Sequence, residues 1–362
     1  MASVIGSAIE ELDTPALLLD KAAFERNLGR MAGFFAGRRA QLRPHFKNHK
    51  CTELAKRQLA AGSAVGITCA KLGEAEVLVE AGIDDVLIAN QVMGPAKVDR
   101  LAALARRAKV RVAVDHADQV EGIARAAERA GSTVGLLIEV EIGMGRCGVM
   151  PGEPALELAR CIVGRPGVRF DGLQAYEGHL VAVKDRAERE RRVWEAFAPA
   201  VATRRAIEAA GMPVAVISGG STSTYAITGQ IDGIEEIQAG TYPTMDWMYR
   251  ELAPEFEIAL SVLARVISRP AADRAVLDVG LKGLGHEFGP PKAKGHLDAD
   301  MPFHLSEEHC TGRSVPDWPL GSLVELVPSH SCTTCNLYRQ IHVHERGRVV
   351  DVWPHEGSGR PL

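Results

Sequence analysis

Short apolar segments alternate with amphipathic helical patterns along most of the chain from Leu42 onward. Eight segments have the length and apolar content of strands, and nearly every gap carries a helical pattern such as 117–130. Eight β-then-α units of this length predict a (β/α)8 barrel, with a doubly wound open sheet as the alternative because short strands are easily miscounted. The predicted strands are 42–46, 66–70, 86–90, 110–114, 134–141, 170–176, 214–218 and 234–239.

The pattern changes after about Pro254, where short β-rich runs are separated by Gly/Pro stretches such as Gly289-Pro290-Pro291. These runs predict a second domain of mainly antiparallel strands, with a polar insertion at 292–319. A strand pattern at 15–20 is surplus to the eight, so we assign it to this second domain. The predicted domains are 21–250 for the barrel, and 1–20 together with 251–362 for the β-domain.

Composition excludes several functional classes. A net charge of −4 with 24% charged residues indicates no nucleic-acid partner, and no apolar run reaches the ~20 residues of a membrane span. The first residues, Met1 to Asp13, contain acidic residues and lack the basic segment of a signal peptide. Seven cysteines at irregular spacing do not form a secreted disulfide framework. We therefore expect a cytoplasmic protein.

Lys47 is the strongest candidate for chemistry. It lies in Arg43-Pro44-His45-Phe46-Lys47-Asn48-His49-Lys50, at the C-terminal end of the first predicted strand, where barrels carry their active sites. Neighbouring cations disfavour the charged form of an amine, and a neutral amine is a nucleophile toward aldehydes. Lys47 is thus a candidate imine-forming lysine, although a solvated basic turn explains the octapeptide alone equally well.

Two loops rich in glycine and hydroxyl groups follow the last two predicted strands. In barrels, backbone N–H groups and Ser/Thr hydroxyls at this position form phosphate sites. One such loop is equally well explained as a turn, but two of them with an imine-forming lysine describe pyridoxal phosphate. The candidate phosphate-binding residues are Gly219, Gly220, Ser221, Thr222, Gly240, Thr241 and Tyr242.

With these motifs the chain resembles the fold-type III pyridoxal-phosphate enzymes with an alanine-racemase-like barrel, and among them the D-threonine aldolase and D-serine dehydratase family. The resemblance runs from Thr14-Pro15 through Gly145-Arg146-Cys147-Gly148-Val149 to Val327-Pro328-Ser329-His330, nearly the whole chain. It implies that Lys47 holds the cofactor, that Arg146 and Tyr176 lie beside its ring, and that the two loops bind its phosphate. It also implies a homodimer.

The resemblance further implies a divalent metal bound by a His-x-Cys pair, here His330 and Cys332. Imidazole with thiolate favours zinc over manganese or magnesium, which prefer carboxylate oxygen. Two protein ligands leave positions for water and for substrate oxygens, as in a catalytic site. The alternatives are a Cys332–Cys335 redox pair, a structural zinc site that includes Cys335, and a merely buried Cys332. We interpret His342 and His344 as surface or core residues of one strand face.

The function that the resemblance implies is a lyase, dependent on pyridoxal phosphate and metal, that acts on β-hydroxy-D-amino acids. The Gly-Pro-Pro loop is similar to that of the D-threonine aldolases, which release glycine and an aldehyde, and we favour that reaction slightly. The His-x-Cys pair is similar to that of the D-serine and 3-hydroxy-D-aspartate dehydratases. Glu177 and His179 are the candidate bases for the β-hydroxyl. An amino-acid racemase and a pyridoxal-phosphate carrier are less favoured, since neither needs the metal pair.

Overall fold

The computed structural model describes residues 4–359 of the 362-residue chain. The chain divides into two compact units. The β-rich unit comprises the described residues up to Met31, Asn48–Leu54 and Thr241–Gly359, and the barrel unit comprises Ala32–Lys47 and Ala55–Gly240. The domain boundaries expected at residues 21 and 250 stay predictions.

The regular elements follow the predicted alternation. The strands are β1 (Ala16–Asp20), β2 (Gln41–Leu42), β3 (Ile67–Cys69), β4 (Asp85–Ile88), β5 (Lys109–Val114), β6 (Val134–Glu139), β7 (Val168–Ala175), β8 (Val216–Gly219), β9 (Glu236–Ile237), β10 (Leu260–Ala271), β11 (Arg274–Leu277), β12 (Lys292–Ala293), β13 (Phe303–Leu305), β14 (Cys310–Arg313), β15 (Leu323–Val327), β16 (Gln340–Glu345) and β17 (Arg348–Pro354). The α-helices are α1 (Lys21–Phe35), α2 (Thr52–Ala60), α3 (Leu72–Glu80), α4 (Pro95–Leu104), α5 (Ala117–Ala130), α6 (Glu153–Ile162), α7 (Arg186–Ala209), α8 (Tyr225–Thr228), α9 (Trp247–Arg250) and α10 (Ser331–Leu337). Single 3₁₀ turns lie at Ile9–Glu11, Phe46–Asn48 and Gly178–Leu180.

The barrel unit is built on eight parallel strands in the order β2-β9-β8-β7-β6-β5-β4-β3. Isolated parallel bridges from Leu42 to Ala64 and from His45 to Thr68 connect the two ends of this order, so the sheet closes on itself. All six residues of β6 are buried, as expected for a strand covered on both faces. The (β/α)8 prediction is therefore confirmed.

The strand that leads to Lys47 is shorter than predicted. Regular pairing of β2 ends at Leu42, although Arg43 N and His45 N still donate to carbonyl oxygens in and just after β9. Pro44 between them has no N–H to donate, so the ladder cannot continue regularly to residue 46.

A cluster of charged side chains crosses the interior of the barrel. Arg43, with 1% of its side chain exposed, pairs with Glu236 at 2.8 Å and with Asp85 at 2.7 Å. Arg111 pairs with Glu236 at 2.9 Å and with Asp171 at 3.0 Å. Because β5 and β9 are not neighbours in the sheet, the Arg111–Glu236 pair must span the lumen. We call these five residues the lumen charge network.

This network corrects one expectation. Arg43 was interpreted as a cation that crowds the amine of Lys47, but its guanidinium is compensated by two carboxylates inside the barrel. Burial alone would raise the pKa of the Glu236 carboxyl, yet the charges and hydrogen bonds of Arg43 and Arg111 lower it below its ordinary value. Arg43 thus anchors its segment instead of supplying free positive charge.

The β-rich unit contains a nine-stranded, mainly antiparallel sheet. The early strand β1 pairs antiparallel with β10 and parallel with β16. The insertion at 292–319 contributes β12, which pairs with β15, and the β13–β14 hairpin, which extends the sheet next to β11. The short helix α10 follows β15 and carries the predicted metal pair at its start. Within residues 4–359, no helix is long and apolar enough to cross a membrane.

Replacing one carboxylate of the lumen charge network should destabilise the fold. Glu236→Gln leaves Arg43 and Arg111 partly uncompensated, which we expect to cost about 3 kcal/mol, the lower end of the range for a broken buried pair. Because the folded-state pKa of Glu236 is lowered, its stabilisation is present above the unfolded-state pKa and is lost as the pH falls. The variant should therefore lose part of the acid sensitivity of unfolding, measured by denaturant titration at several pH values. Glu257→Gln, in the exposed pair with Arg26, is the matched control and should unfold like the wild type; equal effects of the two substitutions would contradict the assignment.

Candidate active site

Three of the predicted site residues of the barrel unit lie together. Lys47 is half-buried in the 3₁₀ turn after β2, Tyr176 directly follows β7, and Arg146 lies in the loop after β6. The Lys47 amine lies 5.7 Å from the centre of the Tyr176 ring, and the Arg146 guanidinium carbon lies 5.3 Å from it. The three residues come from the C-terminal ends of three different strands, where a barrel places its chemistry.

The absence of a side chain at Gly178 makes room for the Tyr176 ring. A side chain at Gly178 would collide with the Tyr176 ring and would meet the Met144 sulfur at 2.8 Å. Glycine at 178 therefore gives the ring its place between the loops that follow β6 and β7.

A buried carboxylate that the sequence analysis did not single out holds Arg146. The Glu139 carboxylate, 5% exposed at the end of β6, lies 3.5 Å from the Arg146 guanidinium. Gln91 donates its amide to Glu139 at 2.6 Å. Burial raises the pKa of Glu139, and Gln91 and Arg146 oppose that rise. Both Glu139 and Gln91 lie within or just after predicted strands, and their positions at strand ends could have identified them.

The loop after β8 concentrates hydroxyl groups. Ser221 Oγ lies 3.2 Å from Ser223 Oγ and 3.0 Å from Thr224 Oγ1. A side chain at Gly219 would collide with the carbonyl oxygen of Ala175 in β7, so glycine is required for the strands to pack here. Gly220 has a left-handed backbone with φ of 80°, which turns the chain away from the strand. Thr222, also in this loop, is buried.

The second predicted phosphate loop is divided between the two units. Gly240 belongs to the barrel unit, where a side chain would meet His45 Cβ at 3.0 Å. Thr241 and Tyr242 belong to the β-rich unit, where both are buried and the Tyr242 ring packs 5.8 Å from that of Phe256. Their roles in phosphate binding stay predictions.

Glu177 lies behind the hydroxyl loop. Its side chain is fully buried and accepts hydrogen bonds from Thr224 Oγ1, from Gly220 N at 3.2 Å and from Thr228 Oγ1 at 3.3 Å. Burial raises the pKa of this carboxyl, and the hydrogen bonds only partly offset the rise. A carboxylate with no exposed surface and three internal donors is poorly placed to take a proton from a substrate, which argues against the predicted role of Glu177 as a base.

His179 is better placed for proton transfer. Its side chain is exposed, and its ring lies over Gly143, where a side chain would meet Nε2 at 2.8 Å. Partial burial and the charge of Arg192 lower the pKa of His179 below its ordinary value, against the opposing charge of Glu141. A neutral imidazole at pH 7 can accept a proton.

The predicted metal pair lies in the β-rich unit. Asp246 Oδ2 lies 2.8 Å from His330 Nδ1, so Nε2 is the ring nitrogen that a metal could use. The side chains of His330 and Cys332 are also hydrogen-bonded to each other, so the two candidate ligand atoms already converge. Asn48 Nδ2 approaches the partly exposed Cys332 sulfur at 3.5 Å. Burial lowers the pKa of His330, but Cys332 and Asp246 raise it well above its ordinary value, so this pocket favours positive charge.

The residues present fit the groups that the resemblance implies. The barrel unit offers an amine for an aldehyde and a loop of glycines and hydroxyl groups for a phosphate, in which Gly220 N and Ser221 N donate to Glu177 and Thr224 Oγ1. The β-rich unit offers an imidazole nitrogen and a sulfur in anionic surroundings, a donor set that suits zinc.

The alternatives for the cysteines find no support. Cys332 and Cys335 are free thiols, and burial raises the pKa of the wholly buried Cys335 well above its ordinary value, as for an inert thiol. Between residues 4 and 359, no three His, Cys, Asp or Glu side chains are grouped to hold a metal, which disfavours a structural site that includes Cys335. His342 and His344 lie on β16 with pKa values lowered by burial, in keeping with their interpretation as core or surface residues.

Comparison with known proteins identifies the family. Residues 19–246 match the family described as alanine racemase, N-terminal domain, and residues 259–344 match a serine dehydratase domain. The chain is 39% identical to a D-threonine aldolase of Arthrobacter sp over 98% of its own length and 95% of that protein.

Two solved structures extend this similarity to the fold. The crystal structure of a D-threonine aldolase from Filomicrobium marinum superimposes with a TM-score of 0.96 at 38% identity, covering 99% of both chains. A cysteine-to-alanine variant of a D-threo-3-hydroxyaspartate dehydratase in the metal-free form superimposes with a TM-score of 0.87 at 27% identity, covering 96% of this chain and 99% of that one. The chain therefore belongs to the fold-type III pyridoxal-phosphate enzymes that combine an alanine racemase N-terminal domain with a serine dehydratase domain.

Proposed function

We propose that this protein is a pyridoxal-phosphate-dependent lyase that cleaves β-hydroxy-D-amino acids to glycine and an aldehyde, in the manner of a D-threonine aldolase. The observation that carries the proposal is that an amine site and a His–Cys pair occur together in a chain similar to D-threonine aldolase over 98% of its length. The reaction needs a group that activates the amino-acid carbon and a group that binds the β-hydroxyl, and each unit supplies one of the two.

In the barrel unit, Lys47 is proposed to hold the cofactor covalently, with Arg146 and Tyr176 beside the ring. Pyridoxal phosphate supplies an electron sink that weakens the bonds at the amino-acid Cα. Glu139, itself held by Gln91, pairs with Arg146 and favours a position of its guanidinium beside the Tyr176 ring. Gly219, Gly220, Ser221 and Thr222 are proposed to take the phosphate, together with Gly240, Thr241 and Tyr242.

In the β-rich unit, His330 and Cys332 are proposed to bind zinc. A divalent metal polarises a substrate hydroxyl and lowers its pKa. His330 would present Nε2 and Cys332 its sulfur, and the polarised hydroxyl would give its proton to a base. We assign that base to His179, which is exposed and neutral at pH 7, and assign Glu177 to holding the phosphate loop.

A dehydratase is the second candidate, and the His-x-Cys pair favours it. A solved structure similar to this chain is a cysteine-to-alanine variant of a D-threo-3-hydroxyaspartate dehydratase in the metal-free form. In that reaction Lys47 would take the Cα proton, and a metal held by His330 and Cys332 would supply stabilisation of the departing hydroxide. The products would then be a keto acid and ammonia.

Product analysis tests the proposal directly. With D-threonine or D-serine as substrate, we expect glycine and the corresponding aldehyde, and a chelator should abolish the reaction while the visible absorbance of the cofactor persists. Added zinc should restore activity, and L-threonine should not react. A keto acid as the main product would transfer the assignment to the dehydratase. Full activity after removal of metal, checked by elemental analysis, would refute both.

Borohydride labelling tests the lysine. Reduction of the purified protein should fix the cofactor to Lys47, because Lys47 combines a strand-end position with the Tyr176 and Arg146 contacts. Peptide mapping by mass spectrometry should find the label there, and Lys47→Ala should remain unlabelled. A label at Lys50 or Lys71 would assign the cofactor elsewhere.

Glu177 and His179 should separate loop positioning from proton transfer. In Glu177→Gln, one of the two oxygens that accept from Gly220 N and Thr224 Oγ1 is replaced by an N–H₂ group, which cannot accept. The variant should therefore retain the cofactor less well during dialysis, but its kcat at saturating cofactor should change little. His179→Asn should retain the cofactor and lower kcat by about 10²-fold, because it removes the general base. The reverse pattern, with kcat lost in Glu177→Gln at full cofactor occupancy, would restore Glu177 as the base.

A homodimer is also proposed on the resemblance, and a cytoplasmic location on the cysteine pattern and the composition of the first residues. Light scattering of the purified protein would test the first, since a fully active monomer would contradict it.

A further inference from the structure

Asp246 is a buried carboxylate with an unusual set of partners. Its side chain has no exposed surface, and its Oδ2 accepts from Ser331 N at 3.1 Å and lies 2.8 Å from His330 Nδ1. Along the described chain, no lysine or arginine pairs with it. Since a buried carboxylate is costly unless its donors are well placed, such a group is retained where it orients something.

The two oxygens of this carboxylate serve different elements. Oδ1 accepts from Tyr249 N at 2.9 Å and caps the start of α9, whereas Oδ2 holds His330 and the first residue of α10. Met245, just before it, has a left-handed backbone with φ of 52°, a conformation that a non-glycine residue adopts at a cost. The chain thus accepts local strain at the residue that directs Asp246.

Two aromatic rings hold the same imidazole. Tyr249 stacks on His330 with ring centres 5.9 Å apart and planes at 25°, and the Phe288 ring contacts it edge-on at 5.5 Å. The ring therefore has fixed neighbours on its face and edge, and its rotation is set by the bond to Asp246.

We propose that Asp246 is the positioning residue of the metal site: it keeps the proton of the neutral His330 ring on Nδ1, so that the Nε2 lone pair points toward Cys332 and is available to zinc. The inference rests on the metal pair of the proposed function. A carboxylate behind a metal-binding histidine fixes the tautomer and raises the basicity of the ligand nitrogen. A helix cap alone needs one oxygen, which Asn or Ser would provide equally well, whereas this role needs the second oxygen.

Asp246→Asn separates the two roles. An asparagine can cap α9 with its single oxygen, but its N–H₂ then faces His330 Nδ1 and Ser331 N. That arrangement favours the tautomer with the proton on Nε2, where it blocks the metal. We therefore expect the variant to fold and to bind zinc about 10- to 100-fold more weakly.

The measurement is zinc affinity by competition with a chromophoric chelator, on the protein loaded with pyridoxal phosphate. The visible absorbance of the cofactor should be the same in wild type and variant. Asp278→Asn is the matched control: Asp278 is a partly buried carboxylate of the same unit that accepts from Thr14 Oγ1 at 2.5 Å and from Arg265 N at 2.7 Å. It should bind zinc like the wild type, and wild-type zinc affinity in Asp246→Asn would overturn the inference.

His330→Ala distinguishes a wrong role for Asp246 from a wrong location of the metal site. If His330→Ala loses zinc while Asp246→Asn keeps it, only the role of Asp246 is refuted. If His330→Ala binds zinc like the wild type, the metal does not lie at this pair, and the inference fails together with the metal half of the proposed function.

Nitrogen-15 NMR of the metal-free wild-type protein, recorded at a pH alkaline enough for the His330 ring to be neutral, tests the same idea without a variant. The neutral His330 ring should show the Nδ1–H tautomer. An Nε2–H tautomer would refute the role of Asp246 even if Asp246→Asn proved too unstable to study.

Discussion

The position of Lys47, the proposed cofactor lysine, depends on charges that meet inside the barrel. Arg43 lies four residues before Lys47, and its guanidinium is tied to Glu236 and Asp85 through four hydrogen bonds. The strand β2, which ends just before Arg43, has only two regularly paired residues. The Arg43 side chain therefore provides much of the anchoring that a longer strand would provide. A buried ion pair adds little net stability over an apolar core, but it tolerates few alternative geometries. The segment that presents Lys47 therefore has one defined place relative to the remaining strands of the barrel.

The periodicity of the sequence was sufficient to predict the barrel, but it could not predict the lumen charge network. Buried parallel strands are nearly continuous apolar runs, and the chain contains eight of them separated by helical patterns, so counting gave the barrel. Arg111, Asp171 and Glu236 lie within predicted strands, where a charged residue was itself a signal of an internal partner. Which charge meets which could not be predicted, because the Arg111–Glu236 pair joins positions 125 residues apart on strands that are not neighbours.

The candidate site, like the barrel, was predictable from the sequence only in part. Lys47, Tyr176 and Arg146 follow strand ends, and parallel strands bring their C-terminal ends to one rim, so sequence position alone could bring them together. The role of Glu177 as a base stays a prediction. Its position next to Tyr176 made it a candidate, but its carboxylate accepts hydrogen bonds from Thr224 and Thr228, and sequence position could not predict these partners. Asp246 lies 84 residues before His330, and no spacing rule connects the two.

The single helical turn α9 contacts both His330, the proposed metal ligand, and the segment that contains the polar insertion. Through Asp246 and Tyr249 it holds His330, while Trp247 Nε1 donates to Pro290 O at 3.1 Å, Lys292 lies 5.1 Å above the Trp247 ring, and Arg250 pairs with Asp298 at 2.8 Å. A change in the length or sequence of the insertion would shift this turn and, through Asp246 and Tyr249, the His330 ring. If His330 and Cys332 bind the proposed metal, sequence changes in the insertion could alter the metal affinity while both ligands stay the same, and relatives with the same His-x-Cys pair need not share one metal affinity.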